Sequence, residues 1–250
     1  MPTNTSWEQV NKWYSKIVGD KGHYYHQSVV IPKTLALLGL TPTSSVLDLA
    51  CGNGILEKAI PETCSYLGID SSKSFIDAAI QTKKGRQHRF EVGDITAPMA
   101  LDSKYTHQTI ILALQNVENI SAVIKNAAEA AQKGTKLVIV LNHPFCRIPR
   151  HSMWEVDDKN NTIYRKLNRY LSLIKIPIQA NPSKGEDSFI TFSFHFPLSY
   201  LSEQLFKNGY SILKIEEWVS DKESVGKHAK RENIARDEFP LFMGILATKL

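Results

Sequence analysis

Apolar positions fall into two rhythms along this chain, short continuous runs and spacings of three and four. Residues 46–50, Val-Leu-Asp-Leu-Ala, form an apolar run bounded by Thr43-Ser44 and Gly52, the pattern of a buried strand. Ahead of it Val30, Leu35, Leu37, Leu38 and Leu40 fit a helix over 29–40, stopped by the Gly39 to Pro42 stretch. Beyond it strands are predicted over 66–69, 90–92, 109–114 and 137–141, with helices over 73–82 and 120–132 between them. Strands alternating with helices build parallel β-α-β units, so the expected fold is α/β, a doubly wound, mostly parallel sheet with helices on both faces.

After His143-Pro144 the rhythm loosens for about fifty residues, and 145–193 reads as an insertion after the fifth strand. Regular pattern returns with a helix over 198–208, so the substrate-side insertion is bounded as 145–197. A strand over 211–217 follows, then the charged segment 221–238 and a last strand over 239–248. Residues 1–26 are polar and aromatic, with Trp7, Trp13, Tyr14, Tyr24 and Tyr25, and read as a helix followed by a loop over 19–26. Residues 1–28 are assigned a lid role. No repeat divides the chain, and residues 1–250 are expected to form a single domain.

Composition narrows the setting. Of the 250 residues 42% are hydrophobic and 22% charged, enough to bury a full core. The three cysteines, Cys51, Cys64 and Cys146, show no paired spacing, and no basic, apolar leader opens the chain, so a cytoplasmic location is expected. No apolar stretch approaches the roughly 18 to 20 residues of a spanning helix, which argues for no membrane contact. Thirty Lys+Arg against 25 Asp+Glu give a formal +5, but the charges are mixed along the chain, so a nucleic-acid partner is not favoured. No metal-ligand spacing and no Gly-x-Ser-x-Gly turn are present.

The candidate chemistry sits at strand ends. The run Val46-Leu47-Asp48-Leu49-Ala50-Cys51-Gly52-Asn53-Gly54 ends in a glycine turn expected to open a helix, where a backbone without Cβ can approach a ligand. A third glycine of the dinucleotide fingerprint is missing. Leu67-Gly68-Ile69-Asp70-Ser71-Ser72 ends a strand in an acid 22 residues after Asp48, a distance that brings it to the same sheet edge. Phe90-Glu91-Val92-Gly93-Asp94-Ile95 again ends a strand in Gly-Asp, and Leu112-Ala113-Leu114-Gln115-Asn116-Val117 ends the next. As alternatives, Asp70 also suits a helix N-terminus and Asp94 a simple turn closure.

This ordered set resembles the class I, Rossmann-like methyltransferases that use S-adenosyl-L-methionine. The resemblance covers roughly residues 45–141, and residues 112–117 look like the Leu-Arg-Asn-Val stretch of the ubiquinone and menaquinone C-methyltransferases, with Gln115 in place of Arg. It implies a seven-stranded sheet and a transferase acting in methylation. Implied cofactor contacts are Asp48, Ala50, Cys51, Gly52, Asn53 and Gly54, then Asp70 with Ser71 at the ribose. Gly93, Asp94 and Ile95 would lie at the adenine, Leu114 and Gln115 near the methyl group, and Tyr25 and His26 would come from the lid. Ala50 departs from the family, where glycine is commoner. No Asn-Pro-Pro-Phe or Asp-Pro-Pro-Tyr occurs at 115–118, which counts against transfer to a nucleobase amine or a glutamine amide.

A small-molecule methyl acceptor is therefore expected, with an RNA or protein acceptor, or S-adenosylmethionine binding without turnover, as alternatives. His143 and His195 are the candidate catalytic bases, with His26 third, since histidine suits proton transfer at neutral pH. Asn116, Arg147, Trp154 and Tyr164 are the candidate substrate contacts, joined by Arg169, for an anionic or aromatic acceptor.

Overall fold

The computed structural model describes residues 23–101, 104–179 and 190–250. Among these, the strands of the first half are β1 (Ser45–Leu49), β2 (Ser65–Asp70), β3 (His88–Val92), β4 (Tyr105–Ile111) and β5 (Ala131–Asn142). Then come β6 (Ser152–Asp157), β7 (Thr162–Leu167), β8 (Ile174–Gln179), β9 (Ile190–His195), β10 (Tyr210–Trp218) and β11 (Phe242–Lys249). The α-helices are α1 (Ile31–Leu38), α2 (Lys73–Thr82), α3 (Ile120–Glu129), α4 (Leu198–Lys207) and α5 (Ala229–Glu238). No described helix is long and apolar enough to cross a membrane.

Seven strands form one sheet in the order β10-β11-β5-β4-β1-β2-β3. Strands β1 to β5 pair in parallel, while β11 runs antiparallel to both β5 and β10. The order reverses between β1 and β4, so the loops leaving their carboxyl ends diverge and open a crevice. Period-two alternation sends successive side chains to opposite layers. Leu47, Leu49, Leu67 and Ile139 join Ile124 of α3 and Leu205 of α4 in one core. On the other face Val46, Tyr66 and Phe90 meet Ile76 and Ala79 of α2, and Val138 and Val140 meet Leu37 and Leu38 of α1. Each such burial contributes roughly 1.5–3 kcal/mol, which is why these runs become strands whatever their local propensity. The Ser72 hydroxyl accepts from Phe75 N–H to start α2, and Asn119 accepts from Ala122 N–H to start α3.

Several elements depart from expectation. The glycine turn opens no α-helix: Ala50, Gly52 and Gly54 all take positive φ (59°, 56° and 76°), and only the 3-10 turn Glu57–Ala59 forms before Pro61. Strand β4 stops at Ile111 because Leu112 takes φ 52°, and Leu114–Asn116 is a 3-10 turn. Helix α3 ends at Glu129, since the Thr135 hydroxyl accepts from Gln132 N–H and donates to the Tyr105 carbonyl, drawing 131–135 into β5. The charged segment 221–238 holds α5, which buries only Ala235 and so shows no apolar stripe. The insertion is two β-hairpins, β6-β7 and β8-β9, each pairing antiparallel. The described end of the expected loop 19–26 is helical, and His26–Val30 is a π-helical turn running into α1. Trp7, Trp13, Tyr14 and most of the lid segment lie outside the described residues.

Candidate active site

The loops at the carboxyl ends of β1, β2, β3 and β4 line a cavity of about 870 Å³. At one end is the glycine turn. Gly52 donates its N–H to Asp70 Oδ2 at 2.9 Å, and Asp70 Oδ1 accepts from Ser72 N–H at 2.9 Å, so one carboxylate ties the β1 turn to the start of α2. A Cβ on Gly52 would meet nothing within 4 Å, which leaves the space beside this backbone open to a ligand. Asp94 accepts from both the N–H and the hydroxyl of Thr96, at 2.8 and 2.7 Å, closing the turn after β3, with Ile95 buried behind it. Asp48 also reaches the cavity, but its side chain is 2% exposed and receives the Tyr66 hydroxyl at 2.6 Å and the Thr109 hydroxyl at 2.7 Å. Burial pushes its carboxyl up to about 6, against the pull of those two hydrogen bonds.

The other end is built from elements far apart in sequence. His26, on the π turn, lines it, and burial together with the nearby His23 holds its imidazole down at about 4, so it is neutral at pH 7. Gln115 and Asn116 turn back on Leu112: Gln115 Nε2 donates to the Leu112 carbonyl at 2.7 Å and Asn116 Nδ2 at 3.4 Å. Opposite them stand Ile178 of β8 and Thr191, Phe192 and Ser193 of β9. A Lys175–Glu118 ion pair at 2.9 Å joins this hairpin to the loop after β4. Among the described residues the cavity is lined by four carboxylates, Asp48, Asp70, Asp94 and Glu118, and by no lysine or arginine. Gln115, Asn142, Pro149 and Ser193 separate it from a small side chamber of about 30 Å³.

Residues 46–134 match the family described as Methyltransferase domain. The match covers less than half of the chain, from β1 through α3 to the start of β5. A demethylmenaquinone methyltransferase of Tropheryma whipplei is 29% identical over 113 residues, 43% of this chain and 46% of that protein. The chain thus spans about half the length of the curated relatives it matches. A solved S-adenosylmethionine-dependent methyltransferase of Mesorhizobium loti shares the fold at TM-score 0.69 and 21% identity, covering 87% of this chain and 96% of that one. A putative one of Listeria monocytogenes does so at TM-score 0.68 and 20% identity, covering 90% and 97%.

The cavity gathers Asp48, Ala50, Cys51, Gly52, Asn53, Asp70, Ser71, Gly93, Asp94, Ile95, Gln115 and Asn116 from the sequence-based set, together with His26. Others are placed elsewhere. Gly54 lies outside the lining, because a Cβ there would fall 2.8 Å from Phe90 Cζ; its role is close packing. Leu114 is buried and faces the side chamber. Tyr25 bonds Ser220 through its hydroxyl at 2.9 Å and packs on Phe242, outside the cavity. His143 lies outside the lining of the cavity. Its Nδ1 accepts from Phe145 and Cys146 N–H and its Nε2 bonds Glu217 at 2.8 Å, so the ring closes the turn after β5. His195 donates Nε2–H to the Tyr170 carbonyl at 2.6 Å and lines only the side chamber, as does Arg147, whose guanidinium lies over Phe242. Trp154 sits against Arg165 and Phe239, half exposed, and Tyr164 is exposed; neither lines the cavity, and nor does Arg169. The residues missed from sequence are Thr191, Phe192 and Ile178, whose hairpin carries no motif, and Asn142, which the switch-point rule locates at the end of β5.

Proposed function

We propose that this chain binds S-adenosylmethionine at the glycine-turn end of the cavity and transfers its methyl group to a small molecule held at the hairpin end. The observation that carries this reading is the single cavity shared by Gly52, Asp70 and Asp94 at one end and by His26, Gln115 and Thr191 at the other. The lining fits the cofactor: Gly52 leaves open space, Asp70 and Asp94 stand where ribose and adenine donors would be read, and four carboxylates suit a ligand bearing a sulfonium cation. When bound, S-adenosylmethionine supplies a methyl group on a positively charged sulfur, a leaving group that needs no further activation. The chain's own residues then have to position an acceptor in line at about 3 to 3.5 Å and keep water out. The β8-β9 hairpin, tied down by Lys175–Glu118, walls the acceptor end.

An RNA or protein acceptor has weaker support, because basic groups of 222–236 are engaged in the fold. Arg231 pairs with Asp158 at 2.6 Å, Arg236 bonds the Ser224 hydroxyl, and Lys222 lies over Tyr24. The test is calorimetry. S-adenosylhomocysteine should bind, and Asp70→Ala should weaken it by about 1.5–3 kcal/mol, the scale of hydrogen bonds to a charged acceptor. Binding of NAD and not of S-adenosylhomocysteine would reverse the assignment. Methylated product from a metabolite pool, seen by mass spectrometry, separates an enzyme from a protein that binds without turnover.

A further inference from the structure

Three side-chain atoms in the walls of the acceptor end are buried and have no hydrogen-bond partner among the described residues: His26 Nδ1, Gln115 Oε1 and Thr191 Oγ1. Buried polar groups without partners are rare and costly, so three around one cavity need a reason. They come from the π turn, the loop after β4 and strand β9, so no single local irregularity produces them. π turns themselves are frequent at functional sites. Thr191 is the clearest case, since the whole residue is 2% exposed yet lines the cavity.

The atoms share a chemistry. Gln115 Oε1 is an amide oxygen and only accepts, its orientation fixed by the amide nitrogen donating to the Leu112 carbonyl. The neutral His26 ring accepts at Nδ1 in one of its two tautomers, and a threonine hydroxyl both donates and accepts. A partner for such a set must bring hydrogen-bond donors. It must also be uncharged or positive, since the described lining holds four carboxylates and no cation that would compensate an anion. Phe192, Ile178 and Ile31 supply apolar walls, against which a ring or alkyl body packs.

Resting on the proposed function, we infer that His26, Gln115 and Thr191 form an acceptor subsite for an uncharged or cationic small molecule that presents a hydroxyl or amine N–H, and that carboxylates and phosphates are excluded. In the ligand-free protein the three atoms are shut off behind their own walls. Acceptor entry turns the Thr191 hydroxyl and the neighbouring side chains to meet it, so hydrogen bonds missing from the free protein are made only in the complex.

The test uses four probes on one ring: phenol and aniline, uncharged at neutral pH, against benzoate and phenyl phosphate. Each is titrated into the chain saturated with S-adenosylhomocysteine. Phenol and aniline should bind, with benzoate and phenyl phosphate at least about tenfold weaker, the scale of one lost hydrogen bond to a buried partner. Thr191→Val keeps the shape and removes the hydroxyl. It should weaken phenol by about tenfold while S-adenosylhomocysteine affinity stays at the wild-type value. Because the hydroxyl has no partner in the free protein, the variant's ligand-free melting temperature should equal or exceed wild type. A valine that merely damaged packing would lower it. Equal binding of benzoate or phenyl phosphate, no binding of phenol and aniline, or unchanged phenol affinity in Thr191→Val each overturns the subsite. If S-adenosylhomocysteine itself fails to bind, the parent reading falls first and this one with it.

Discussion

Asp48 shows how one residue joins stability to the site. Its carboxylate sits at the end of β1 with both oxygens receiving buried hydroxyls, yet burial wins and holds its pKa at about 6 instead of the usual 3.8. Between about pH 4 and 6 the folded chain therefore keeps a proton that the unfolded chain has released. Proton uptake favours the folded state there, so this group's contribution to stability falls as pH rises through that window and levels off above it. A two-unit shift corresponds to about 3 kcal/mol. Urea unfolding at pH 4, 5, 6 and 7 should show a declining contribution in wild type that is missing in Asp48→Asn. Parallel curves for the two proteins would mean that Asp48 is ionised in the fold throughout.

At the scale of elements, the loop after β1 divides its two glycines between different tasks. Both need positive φ, where a Cβ costs roughly 1–2 kcal/mol. Only Gly54 also lies against Phe90 and Ala79, at 2.8 and 3.2 Å for an added Cβ, so overpacking adds about 1–3 kcal/mol. Gly54→Ala should be the more destabilising change in chemical denaturation, whereas Gly52→Ala, whose Cβ projects into open space, should lose more S-adenosylhomocysteine affinity. The opposite ranking would exchange their roles. The same loop explains the helix that does not form: three left-handed residues within five turn the chain too sharply for continuous α-helical hydrogen bonding, and Glu57 is drawn away to accept from Lys84 and Gly85 N–H and to bond His88.

Over the whole molecule, the cavity brings together the first helical turn, the parallel half of the sheet and the inserted hairpin. A ligand that bridges them binds the folded chain and not the unfolded one. Saturation with S-adenosylhomocysteine at a hundredfold excess over its dissociation constant should raise unfolding free energy by about 2.7 kcal/mol. Native-state hydrogen exchange should slow in both β1 and β9 together. A gain in β1 alone would show the hairpin to be independent of the cofactor end.

The parallel half of the fold and the glycine-turn end of the cavity were legible in the sequence. Buried strands such as β1 and β2 are written in continuous apolar runs, and the loops that follow them carry glycines and acids whose backbone demands are local. Helix α2 matches its expected bounds because its cap, Ser72, and its apolar spacing are both local signals. The hairpin end of the cavity took shape only through tertiary contacts. Which histidine faces the cavity depends on partners 74 and 25 residues away, Glu217 for His143 and the Tyr170 carbonyl for His195, and no spacing rule encodes them. Thr191 carries no motif and becomes a candidate only where β9 is laid beside the loop after β4, which leaves its hydroxyl buried and unpaired. Backbone geometry is set by neighbours in sequence, whereas the partner of a side chain is set by which distant surfaces the core brings together.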